Sequence, residues 1–239
     1  MCELVTPEIL RLRAVAGARE ARGLAVVIDV IRAFTVAAYA FAGGAEDILL
    51  VGTVEEAFAL RQRFPDALLI GEVGGRLIRG FDINNSPTRM ARADVRGRRL
   101  IQRTGAGTQG VVAAAHADSI VLASLVVARA TAEYVRRQGS PVVSIVAMAG
   151  DVSHAPMEDD ICGDTIAAWL RGETPDPGGL RDAILATPHA QLFLNPDDPD
   201  FIPSDLDYVL AVDRFDFAMP VRREGDLLVA RRGPLLDMG

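Results

Sequence analysis

The chain has 239 residues, half of them hydrophobic and 5% aromatic, with a formal net charge of −7. Such a length can bury about 70% of its extended-chain surface in one full core, which excludes a disordered or fibrous class. The cations are scattered, so no basic face marks a nucleic-acid partner, and Cys2 and Cys162 lie too far apart for a CxxC zinc site or a disulfide framework.

In chain order, apolar runs alternate with helical patterns. The strands expected are Leu24–Ile28, Asp47–Val51, Ala67–Ile70, Arg99–Gln102, Ser119–Ala123 and Val142–Ala147. The helices expected between and after them are Ala33–Phe41, Val54–Phe64, Thr108–His116, Ala128–Gln138 and Glu158–Leu170. Thr53 followed by Glu56 is a capping-box pattern. This rhythm predicts an α/β fold with a mostly parallel, helix-covered sheet. After a Pro/Gly connector at 174–179 the chain is less regular and ends in a hairpin pattern, Phe217–Val221 and Leu227–Ala230 around Glu224-Gly225. The simplest organisation is one domain over 1–239, with 172–239 packed on it as an irregular C-terminal segment. The N-terminus carries no basic or apolar leader and no uncharged apolar run reaches ~18 residues, so a cytoplasmic protein with no membrane span is expected.

In open α/β sheets ligands bind beyond the carboxyl ends of the strands. Asp29 and Arg32 stand there after the first strand, either as chemistry or as a pair fastening a turn. The long loop Gly71 to Pro87 brings Glu72 to the same edge and offers oxygens from Asp82, Asn84 and Ser86. Its bland alternative is turn chemistry, with Ser86 capping a helix that opens at Pro87. Arg103-Thr104-Gly105-Ala106-Gly107-Thr108 follows a strand and opens a helix, where backbone amides would cradle a phosphate. It is formally GxGxxG, but the next strand ends without the acid that a dinucleotide ribose needs. Glu158-Asp159-Asp160 suits a helix N-terminus without further purpose, yet also overhangs that edge. Converging carboxylates make an oxygen-rich site that suits magnesium. His116 and His189 lack ligand-like spacing and read as structural or solvent-facing, while His154 lies in the acidic loop.

The segments Val26-Val-Ile-Asp29-Val-Ile-Arg32-Ala33, Gly71-Glu72, Gly80-Phe81-Asp82-Ile-Asn84-Asn85-Ser86-Pro87, Gly107-Thr108, Ala149-Gly150 and Glu158-Asp159 resemble the magnesium-dependent 2-phosphosulfolactate phosphatase family. The resemblance runs over roughly Leu24 to Leu170. It implies a three-layer α/β/α fold with a mostly parallel mixed sheet, a homodimer, and hydrolysis of a small anionic phosphate ester on the route to coenzyme M. It also implies Mg2+ ligands among Asp29, Glu72, Asp82, Glu158 and Asp159. Asp29, Glu72 and Asp159 would do the catalysis, and Arg32, Asn85, Ser86, Gly107 and Thr108 would contact substrate, joined by Arg103, which stands where the family has Thr and adds a compensating charge. The chain departs from the family pattern at Val73, where Arg is usual, at Ala106 in the Thr/Asn-rich turn, and at Val127, where Asn is usual. Those losses of polar contacts motivate an alternative, a catalytically silent homologue that binds an anionic metabolite or a partner protein. A covalent aspartyl-phosphate route would want an Asp two residues past Asp29, where Ile31 stands.

Overall fold

The computed structural model describes residues 7–149, 157–195 and 197–236. The chain enters along β1 (Glu8–Arg13) and the short α1 (Ala14–Ala18), then runs through β2 (Leu24–Ile28), α2 (Ala33–Ala42), β3 (Asp47–Leu50) and α3 (Val54–Arg63). β4 (Leu68–Val73) turns back into the two-residue β5 (Arg76–Leu77), and β6 (Ile83–Asn84) leads to α4 (Pro87–Met90). β7 (Arg99–Arg103), α5 (Gly107–Ala113), β8 (Ser119–Ala123), α6 (Ala128–Gln138), β9 (Val142–Ala147) and α7 (Glu158–Arg171) follow. Three short helices, α8 (Pro177–Leu185), α9 (Pro188–Gln191) and α10 (Ser204–Val209), precede the hairpin β10 (Met219–Glu224) and β11 (Leu227–Ala230).

Local chemistry accounts for several boundaries. Thr53 and Glu56 form the reciprocal capping box at the start of α3, and the Ser86 hydroxyl accepts from the Arg89 amide to cap α4 behind Pro87. α6 and α7 each stop at a glycine in the left-handed region, Gly139 and Gly172.

The sheet order is β1-β9-β2-β8-β10-β11-β3-β7-β4-β5, with β6 pairing β4. β1, β9, β2 and β8 form one parallel block, and β3, β7, β4 and β6 form another. The hairpin lies between them: β10 pairs β8 and β11 pairs β3, both antiparallel. The C-terminal strands therefore complete the middle of the sheet. Helices cover both faces, as a three-layer α/β/α fold requires.

α2 explains how the two blocks share one site. Eight of its ten residues are buried, because it is apolar on all sides and must be wrapped. Phe34, Ala37 and Phe41 pack with Val27 of β2, Leu50 of β3, Ile70 of β4, Leu100 of β7 and Met219 of β10 in a single core. The opposite face of the first block meets α6 and α7 through Val26, Ala132 and Ile166. That of the second meets α3 through Leu69, Ile101 and Ala57. Gln102 at the end of β7 donates through Nε2 to the Ala33 carbonyl at 2.9 Å, so the carboxyl end of β7 is tied to the start of α2.

Candidate active site

A cavity of about 290 Å³ opens at this edge, lined by Asp29, Arg32, Glu72, Asn85, the Gly74-Gly75 and Gly105-Ala106 turns, His189, Phe193 and Phe201. Asp29 follows β2, and its Oδ1 accepts from the Ala33 amide at 2.9 Å. Gly107 lies against its other oxygen: a Cβ there would stand 2.7 Å from Asp29 Oδ2 and 2.9 Å from the Ala33 methyl, so only glycine fits. Glu72 belongs to β4, which runs to Val73, and its carboxylate accepts from the Gly75 amide at 2.6 Å and from the Gly105 amide. The turn read as a phosphate cradle directs its amides elsewhere. Gly105 donates to Glu72, Gly107 to Asp29, and Thr108 N to Thr104 Oγ1.

The acids that open α7 have separate tasks. Asp159 is buried and accepts from Val30 N at 2.7 Å and from Ala149 N, stitching the loop after β2 to the end of β9. Asp160 accepts from Met157 N at 3.0 Å and pairs with Arg13 at 2.9 Å. Glu158 is fully buried: Oε1 lies 2.6 Å from His189 Nδ1, and Oε2 has no hydrogen-bond partner. Burial pushes the Asp29 carboxyl up to about 6, with the Glu72 and Glu158 charges adding to it and the Ala33 and Gly107 amides opposing. Burial likewise raises Asp159 well above the usual range, helped by Asp29 and Glu158. The hydrogen bond with Glu158 raises His189.

Several expected residues stand elsewhere. Asp82 faces α3, where Oδ2 pairs with Arg61 and accepts from Leu69 N, both at 2.7 Å. Ser86 donates to Asp205 Oδ1 at 2.7 Å. Arg103 donates to the Glu72 carbonyl at 2.9 Å, and Thr108 is buried against Thr104. These four fasten the walls without bordering the cavity, and Asp159 does not border it either. Of the departures from the family pattern, Val73 is half exposed, Ala106 lines the cavity and Val127 is core. Cys2, Gly150, Asp151, Ser153 and His154 lie outside the described residues. His189, Phe193 and Phe201 are members of the site that sequence reasoning missed. They lie beyond Arg171, in the irregular part of the chain, and the contact between Glu158 and His189 ties that part to the acids.

Among the described residues, no group of three His, Cys, Asp or Glu side chains stands ready to enclose an ion. The donor set still suits magnesium, which keeps most of its waters and takes one or two carboxylates together with substrate oxygens. Asp29 and Glu72 border the cavity, and Glu158 Oε2 and Asn85 Oδ1 are buried oxygens with no protein partner.

Residues 11–196 match the family model described as 2-phosphosulpholactate phosphatase. The chain belongs to that family. It is 37% identical over 211 residues to a Bacillus subtilis (strain 168) protein named "Probable 2-phosphosulfolactate phosphatase", covering 87% of this chain and 90% of that one. A Deinococcus radiodurans protein of the same name is 40% identical over 164 residues, 67% of this chain and 68% of its own. The family is thus one of phosphoric monoester hydrolases by name, and the buried acids at the sheet edge are what such a name asks the fold to explain. No helix among the described residues is long and apolar enough to cross a membrane.

Proposed function

We propose that the protein is a magnesium-dependent phosphatase acting on a small anionic phosphomonoester, with 2-phosphosulfolactate the first substrate to test because its relatives are named for it. The observation that carries this reading is the meeting of Asp29 and Glu72 with Arg32 and Asn85 around one cavity, with two further buried acids behind them. Asp29, Glu72, Glu158 and Asn85 are the residues that would hold the ion. Bound magnesium supplies positive charge that offsets the phosphoryl oxygens in the transition state. Arg32 faces the substrate's anionic groups with the N–H groups that no acceptor among the described residues takes. Amides from Gly75 and Gly105 fix Glu72 in one orientation, which removes reorganisation from the reaction. Asp29, which lines the cavity, is assigned to take the proton of the attacking water.

The protein is further proposed to work in the cytoplasm as a homodimer. Val73, Leu77, Leu192 and Leu194 are exposed on segments around the cavity mouth, an apolar rim that a second copy would cover. A monomer by sedimentation at micromolar concentration would exclude the dimer.

The phosphatase is tested by phosphate release from 2-phosphosulfolactate, phospholactate and para-nitrophenyl phosphate, with magnesium and with chelator. Release that depends on magnesium is expected. No release from any of the three, in a protein that binds magnesium, would favour the silent binder.

A further inference from the structure

We propose that Asp205 is the residue that positions Arg32 for the substrate's anionic group, so that α10 governs affinity through one buried carboxylate. This rests on the phosphatase reading, and it adds a residue that lies beyond the 11–196 stretch matched by the family. Arg32 borders the cavity with its head buried. Nη1 donates to the Asp200 carbonyl at 2.7 Å and to Asp205 Oδ2 at 3.1 Å, and Nη2 donates to the Gly75 carbonyl at 2.9 Å. Among the described residues nothing accepts from Nε or the second Nη2 hydrogen, which leaves them for a ligand. Phe193 and Phe201 hold the guanidinium at 5.0 and 5.2 Å from their ring centres, so it cannot swing aside.

Backbone carbonyls orient a guanidinium but do not balance its charge. Among the described residues Asp205 makes the one ion pair to Arg32, and both partners are almost completely buried. The other oxygen of Asp205 accepts from Ser86 Oγ at 2.7 Å and from Thr88 N at 3.1 Å. Asp205 therefore joins the segment carrying Arg32 to the loop carrying Asn85, and both of those side chains reach the cavity. Removing one partner of such a pair strands a buried charge, and the stranded charge here is the one facing substrate.

The test uses the full chain with magnesium. Asp205→Asn keeps an oxygen for Ser86 and Thr88 but turns an amide nitrogen toward the Arg32 donors. KM and kcat on the best ester of the panel, and the Kd for inorganic phosphate by calorimetry, are measured for wild type, Asp205→Asn, Arg32→Ala and the double variant. The expected result is a rise of at least about tenfold in KM and Kd for Asp205→Asn, a smaller change in kcat, and no further loss when it is added to Arg32→Ala. Multiplying effects in the double variant, or an unchanged KM and Kd in folded Asp205→Asn, would overturn the positioning role. If Asp205→Asn does not fold, Asp205→Ser, which also removes the charge, takes its place in the same cycle with the same criteria. A wild type that neither releases nor binds phosphate sinks the phosphatase reading itself, whereas an active wild type with multiplying effects sinks only the role of Asp205.

Discussion

The two edges of the sheet bury carboxylates equally well and treat them in opposite ways. At the amino edge, Asp47 opens β3 completely buried, yet Arg99 grips it with two bonds of 2.8 and 2.7 Å and Arg231 approaches to 3.4 Å. Its charge is matched and its bonds are satisfied, and it joins β3, β7 and the end of β11. At the carboxyl edge, Asp29, Glu158 and Asp159 are as deeply buried but lie among one another. Backbone amides and one His answer them, and among the described residues no guanidinium pairs with Asp29, Glu158 or Asp159. Burial with pairing holds strands together; burial with like charges costs stability, and that pattern is the one a functional site shows.

The largest difference between the edges is expected in turnover. Asp29→Asn should lower magnesium-dependent phosphate release about a thousandfold, read from initial rates with the ester that wild type hydrolyses fastest. The same substitution should stabilise the metal-free protein by on the order of 2 kcal/mol at neutral pH, since the amide needs no desolvation of a charge. Urea unfolding in chelator checks this. Asp47→Ala should do the reverse, losing about 2 kcal/mol because Arg99 and Arg231 keep partial solvent access, with turnover per folded molecule unchanged.

Stability against pH should also separate the two edges. The folded value of Asp29, about 6, exceeds its ordinary 3.8, so the folded state prefers the protonated acid. That preference is complete below about pH 4 and is lost as the pH rises through about 6. Metal-free protein should thus melt at a higher temperature near pH 5 than near pH 7.5, and Asp29→Asn should flatten that difference. The smallest effect is expected at Asp82, whose partly exposed pair with Arg61 contributes no more than about 1 kcal/mol. Asp82→Ala should leave the dependence on magnesium concentration as in wild type; a weakened dependence would return Asp82 to the ion's ligands.

Much of the fold can be read from the sequence because its strands are apolar runs between helices. Leu24–Ile28, Ser119–Ala123 and Val142–Ala147 have the boundaries that their patterns predict. β1 escapes that reading because Glu8–Arg13 mixes charged and apolar residues, as an edge strand half open to solvent allows. The hairpin is visible as a hairpin, but nothing in Met219–Ala230 says that its two outer edges face β8 and β3. Sheet order is a property of distant pairings. The same reason divides the site. Asp29, Glu72 and Asn85 sit at strand ends and can be placed on one edge from the sequence, whereas His189, Phe193 and Asp205 reach it from short helical turns with weak periodicity. Gly107 is visible as a glycine at a helix start, but its role beside Asp29 rather than beside a phosphate needs the geometry.

The most direct test of the unmatched acids is calorimetric titration of magnesium into metal-free wild type and Asp29→Asn at neutral pH. Saturable binding to wild type, coupled to proton release, is expected, with binding to Asp29→Asn weakened at least about tenfold. Equal binding by the two proteins, or none by either, would contradict the claim that the carboxyl edge buries its acids for a cation.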